Sequence, residues 1–225
     1  MGEILTGKIV DIGERGVSIH TDIPAHVIKR QYEEVLVEFV DARPISGDQR
    51  RKAWAIMTDI ADWCGDDKDS VYTVFKHNFT LKQVDTLKRE LFRLSQANMT
   101  EAREFLNYLI SFCLDYDVPM SAPLYLNTDD IDYYMRECLL HKRCAVCGKP
   151  AQLHHVDRVG SHGGSREKIS HIGLRAEPLC GLHHRECHDV GQAQFDAQYH
   201  FHGVPIDQEI ATKYKLNTKP RKETA

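Results

Sequence analysis

Apolar and polar positions alternate weakly over residues 3–20, with Ile4, Ile9, Ile12, Val17 and Ile19 flanking the turn GERG. A period of two broken by such a turn predicts a β-hairpin. Pro24 sits near the first turn of a short helix reaching about Tyr32. The run EVLVEFVD at 34–41 places Val35, Val37 and Phe39 on one face and Glu34 and Glu38 on the other, as a strand does. The period then lengthens. Ser46 and Gln49 have the S-x-x-Q capping-box spacing, Trp54, Met57, Ile60 and Ala61 follow at helical intervals, and Gly65 can end the helix. Val71, Val74, Phe75 and Phe79 stripe a second helix over 69–79. Thr100 is expected to cap a third, reaching about Tyr116, with Phe105, Leu106, Leu109, Phe112 and Cys113 as its core face.

Pro119 and Pro123 punctuate the next connector, and Thr128 is expected to cap a further helix. Asp129, Asp130 and Asp132 lie in its first turn and His141, Lys142 and Arg143 at its end, which complements the helix dipole at both ends. Beyond it the chain changes character. Ten of the thirteen histidines lie from His141 onward, with four of the seven cysteines. Phe195, Tyr199, Phe201 and Ile206 are expected to pack the tail of this part, while residues 217–225 read as a frayed end.

Two ligand sets interleave in that second part. Cys144 and Cys147 form a CxxC knuckle, and Cys180 with His183 repeats the offset as CxxH. Three cysteines and one histidine at such spacing suit a closed tetrahedral zinc site that pins two ends of an otherwise weakly held segment. His183 neighbours His184 and could serve another ion; its repeat of the CxxC offset assigns it to zinc. In the second set, His184 and His188 stand four apart and share a helix face, so they can chelate one ion. His154 can join them from a strand, which turns the adjacent His155 to the other side.

This stretch resembles the HNH nucleases of the ββα-metal fold, and most of all those encoded by phages. The resemblance rests on CxxC, the HH pair followed by Val-Asp, the Gly163-Gly164 turn, PLC at 178–180 and HHxxxH at 183–188. It implies a divalent ion held by His154, His184 and His188, and His155 as general base. It also implies phosphodiester hydrolysis to a 5′-phosphate and a 3′-hydroxyl. The family usually has Asn about four residues before the Leu-Cys pair, where this chain has Arg175; His171 is the other candidate for that middle role. The ion so implied is Mg²⁺ or Mn²⁺, and because an all-imidazole site is softer than Mg²⁺ prefers, Co²⁺ and Ni²⁺ stay open. Arg158, Arg166 and Lys168 are candidate phosphate contacts.

Charge refines the picture. The chain carries −4 overall, yet residues 141–225 hold 13 Lys/Arg against 9 Asp/Glu and residues 1–140 hold 16 against 24. The histidine-rich part is therefore the basic one, as a phosphate-seeking unit should be. In the first part Arg43, Arg50, Arg51 and Lys52 crowd the start of a helix, where the dipole disfavours cations. A solvated basic face and a phosphate contact both explain that. The stretch DQRRKAWA at 48–55 is similar to the signature of phage NinB/Orf-type recombination proteins, which implies single-stranded DNA binding and recombinase loading.

The expected architecture is α+β: a domain over 1–138 with a small antiparallel sheet and helices, then a zinc-stabilised ββα-metal HNH domain over 139–216. The function implied is a metal-dependent DNA endonuclease of phage recombination or replication. Its alternative is a recombination mediator that binds single-stranded DNA without cutting. The partners implied are DNA (single-stranded, duplex or branched) and host single-strand binding protein or recombinase; a homodimer stays open. No stretch approaches the roughly 20 apolar residues a membrane helix needs. The start of the chain lacks a signal-peptide pattern, and the odd cysteine count favours a reducing cytoplasm over a disulfide framework.

Overall fold

The structure, a computed structural model, describes residues 5–14, 16–29, 37, 39–83, 91–157 and 169–219. Strands β1 (Lys8–Gly13) and β2 (Gly16–His20) form the antiparallel hairpin that the alternation predicts. Both its faces are exposed, with Ile12 at 72% and Val10 at 65%, so its apolar positions add nothing to the core. Helix α1 (Ala25–Lys29) follows Pro24. Half of the strand expected over 34–41 lies outside the described residues. Val37, Phe39 and Val40 are exposed and belong to no strand.

Helix α2 (Gly47–Cys64) obeys its sequence signals. Ser46 Oγ accepts from the Gln49 amide, Gln49 Oε1 accepts from the Ser46 amide, and Gly65 at φ 74° closes the last turn onto Ala61. Helix α3 (Lys68–Lys82) starts at its Asp67 cap. For α4 (Met99–Asp115) the cap is Asn98 rather than Thr100. Asn98 accepts from the Glu101 amide and Glu101 accepts from the Asn98 amide, so this pair satisfies two helix-start donors. Thr100 donates instead to the Asp41 carboxylate. In the same way Asp130, not Thr128, caps α5 (Ile131–His141) by accepting from Tyr133.

Helices α2, α3 and α4 pack together around aromatic side chains. Phe79 meets Phe92 at 4.8 Å and Phe105 at 5.2 Å between ring centroids, and Phe75 meets Phe112 edge-on at 4.7 Å. Each such pair contributes about 0.5–1.5 kcal/mol beyond the area it buries. Helix α5 packs against α4 and also against the C-terminal elements. Its buried Tyr134, Met135, Cys138 and Leu139 belong to one continuous core with Leu179, Phe195 and Ile210.

The C-terminal part is a three-stranded antiparallel sheet in the order β3 (Gln152–His155), β4 (Arg175–Leu179), β5 (Val204–Pro205). Of helices α6 (Gly181–Val190), α7 (Gln192–Tyr199) and α8 (Gln208–Tyr214), α6 packs on β4 and on α7, and α8 packs on α5. Register sets His154 opposite Glu177 and His155 opposite Ala176. A Cβ at Gly203 would stand 2.6 Å from Val156 Cγ2, so a side chain there would force this end of the sheet apart. Among the described residues no helix is long and apolar enough to cross a membrane.

Candidate functional site

Four ligand atoms converge where α5 hands the chain to β3. The turn through Cys144 and Cys147 closes with Gly148 at φ 67°, whose amide donates to the Cys144 carbonyl at 2.8 Å. The Ala145 amide donates to Pro178 O at 3.0 Å, which ties the turn to β4 just before Cys180 starts α6. Cys144, Cys147, Cys180 and His183 then have their ligand atoms within 4.8 Å of one another. In a zinc tetrahedron with Zn–S bonds of about 2.3 Å, two sulfurs stand about 3.8 Å apart and a sulfur and a nitrogen about 3.5 Å. Cys147 and Cys180 sulfurs are 3.7 Å apart, and Cys144 and Cys180 each lie 3.3 Å from His183 Nδ1. The set fits zinc.

The electrostatics agree. Burial resists ionisation of Cys180, but the amides of His183 and Leu182 at the start of α6 outweigh it and bring the thiol down to about 6. Burial pushes Cys144 up to about 12, and a coordinated cation is what would ionise such a thiol. His183 keeps its second nitrogen 4.0 Å from Glu186, whose carboxylate also accepts from Tyr199 at 3.1 Å. At that distance Glu186 is a charge beside the ring rather than a hydrogen-bond partner.

The second set assembles as the helical spacing requires. His184 and His188 bring their Nε2 atoms to 3.2 Å. The His154 ring lies 4.7 Å from that of His184 and 5.3 Å from that of His188. Their ligand atoms fall within 4.8 Å, graded from buried His154 to exposed His188, which gives a cluster open on one side. Desolvation lowers the pKa of both His154 and His184, and the neighbouring histidines lower it further, so the lone pairs a cation needs are favoured.

His155 faces elsewhere. Its Nε2 stands 2.9 Å from Nδ1 of His171, which is 4% exposed and anchored by its amide to Asn217 O. Arg175 is not in this pair. Its guanidinium and its amide both bind the Asp157 carboxylate, at 2.7 Å for the closest contact of each, and the ion pair lowers the Asp157 pKa. Of the two candidates for the middle role, His171 touches His155 and Arg175 grips Asp157.

Glu177, Cys187 and Gln192 carry no signal as site residues in the sequence. Glu177 and Cys187 bring ligand atoms within 4.8 Å of those of His154, and all three are buried. Gln192 fills the space among them, contacting His154 Nε2 at 2.9 Å, Cys187 Sγ at 3.4 Å and Glu177 Oε2 at 3.1 Å. The trio is thus a hydrogen-bonded node rather than a third ligand set. Burial, with Asp196 adding to it, pushes the Glu177 carboxyl up to about 7, and it also pushes the Cys187 thiol up to about 11.

The remaining candidates divide. Arg158, Arg166 and Lys168 lie outside the described residues, as does the Gly163-Gly164 turn. Arg43 pairs with Asp41 at 2.9 Å, Arg51 with Asp48 at 3.1 Å, and Lys52 with both Asp48 and Asp129 at 3.1 and 2.6 Å. Arg50 is exposed and has no ion-pair partner among the described residues.

A family model described as Putative HNHc nuclease matches residues 18–217. No curated protein and no solved structure matches the chain.

Proposed function

The chain belongs to the HNHc nuclease family, and from that membership we propose that it is a metal-dependent DNA endonuclease whose reacting centre lies between His155 and the His154, His184, His188 cluster. The observation that carries this is the cluster itself: three imidazoles on a β3-β4-α6 frame, converging on a point open to solvent on one side. The proposed zinc set lies at the opposite, N-terminal end of α6 from His188, where a bound zinc would hold that helix against the sheet.

His154, His184 and His188 would hold a divalent ion, Mn²⁺ or Mg²⁺. When bound, such an ion offsets charge on the phosphate and on the leaving oxygen. His155 accepts the proton of the attacking water, a task that suits an imidazole. His171 holds the His155 ring through the 2.9 Å hydrogen bond, the service the family's middle residue supplies. Arg175, paired with Asp157, ties the residue two beyond β3 to the start of β4.

By the resemblance of residues 48–55, the proposal extends to phage recombination, with Arg50 offered to single-stranded DNA. The ion pairs of the exposed Arg43 and Arg51 favour their solvated-face reading, while the largely buried Lys52 ties α2 to Asp129 and Thr128. The test is a cleavage panel of duplex, single-stranded, flapped and branched DNA, with and without Mn²⁺. Metal-dependent cutting of at least one substrate, lost in His155→Ala, is the expected result. DNA binding with no cutting under any metal would favour the non-cleaving mediator.

A further inference from the structure

Gln192 is placed by the backbone before its side chain acts. Gly191 sits at φ 87°, ψ 148°, a conformation essentially closed to residues with a Cβ, and there the chain leaves α6 and enters α7. This corner returns the first residue of α7 to the buried side of His154. The amide is then bonded at both ends. Its Nε2 donates to Asp196 Oδ1 at 2.6 Å and to Glu177 Oε2 at 3.1 Å. Its Oε1 accepts from Cys187 at 3.4 Å and faces His154 Nε2 at 2.9 Å.

These bonds determine which way the amide points. Reversing it would press the carbonyl oxygen against the Asp196 carboxylate and lose both donated bonds. With Oε1 toward His154, the group opposite must be a donor, so His154 carries its proton on Nε2 and its lone pair on Nδ1. We propose that Gln192 is a positioning residue that fixes the tautomer of His154 and presents its Nδ1 as the ligand shared with His184 and His188. Outer partners of this kind usually act on ligating histidines through a carboxylate or a backbone carbonyl. Here an amide does so, itself oriented by Glu177 and Asp196.

The inference rests on the proposed metal centre, and the experiment keeps the two apart. Full-length protein retaining its zinc, with the second site stripped, is titrated with Mn²⁺ by calorimetry. In parallel, ¹⁵N NMR reads the protonation of the His154 ring, assigned by its loss in His154→Asn. The parent should show the proton on Nε2 and bind Mn²⁺. Gln192→Met, which keeps length and loses the amide, should give a mixture of tautomers and weaken Mn²⁺ binding about 10- to 100-fold. Gln192→Glu, in which a neutral carboxyl can donate at one oxygen and accept at the other, should recover much of the affinity.

If the parent binds no Mn²⁺, or His184→Ala binds it equally well, the metal-centre reading fails whatever Gln192 does. If the parent binds and Gln192→Met matches it in affinity and tautomer, the positioning role is overturned. A folded parent with the His154 proton on Nδ1 overturns it without any variant, which covers the case where Gln192→Met does not fold.

Discussion

His155 and His171 form a 2.9 Å nitrogen-to-nitrogen pair across sixteen residues of chain, with His171 buried and His155 half-buried. One ring must donate to the other, so on the proposed reading a proton gained by His155 would be shared with His171. The pair is separate from the three-histidine cluster on the other side of the same strand.

His155→Ala should therefore lower cleavage by about 10²- to 10⁴-fold while leaving Mn²⁺ affinity nearly unchanged. His184→Ala and His188→Ala should lose affinity instead and regain part of their activity at high Mn²⁺. His171→Ala should reduce the rate without touching metal binding, and Arg175→Ala should do so less. Rates set beside calorimetric affinities decide this. If His155→Ala loses the ion and His154→Ala keeps it, the roles of the two are swapped.

Purified protein should hold about one tightly bound zinc per chain, measurable by elemental analysis. Structural zinc supplies on the order of 10 kcal/mol of folding free energy in isolated finger peptides, so Cys144→Ser or Cys180→Ser should unfold β3, β4 and α6 together. Folded, chelator-untreated protein without zinc would refute the site.

Reversing charges in the basic cluster should separate its members. Lys52→Glu sets a third carboxylate beside Asp48 and Asp129, and about 1–2 kcal/mol of lost stability is expected by denaturant unfolding. Arg50→Glu should leave stability within about 0.5 kcal/mol and weaken single-stranded DNA binding, with a shallower salt dependence. Unchanged DNA affinity in a folded Arg50→Glu protein would return that residue to the solvated face.

Helix α4 offers a test of its own start. Asn98→Ala removes the accepting side chain of the reciprocal cap and should cost about 1 kcal/mol. Thr100→Ala, which loses only the hydroxyl bonded to Asp41, should cost less. Equal losses would mean that the cap is shared between them.

What could be read from the sequence was whatever short-range geometry dictates. CxxC, CxxH and the i, i+4 histidines bring their ligand atoms together through one turn of chain or helix, and the structure assembles both sets. The α2 capping box likewise depends on residues three apart. The His155–His171 contact and the Gln192 node depend on how segments far apart in sequence fold back, and no periodicity encodes that. A glutamine following a glycine carries no signal until Gly191 is seen to turn it toward His154. The caps of α4 and α5 were misplaced for a subtler reason: two eligible side chains stood close together, and each choice was settled by a partner, Glu101 for Asn98 and the Tyr133 amide for Asp130. The alternation over 8–20 forecast the hairpin yet said nothing of whether it would be covered.

Helix α5 has a practical consequence for dissecting the protein. A cut at residue 138 would fall within its last turns, between Cys138 and Leu139, both buried. It would also sever the helix between Tyr134, which donates to Ala145 O in the knuckle, and Leu139, whose carbonyl accepts from Tyr214 of α8. Either half, expressed by itself, should carry α5 whole. The half left without it will show greasy, sticky surface, so its insolubility would report on where the scissors fell and not on what that half can do.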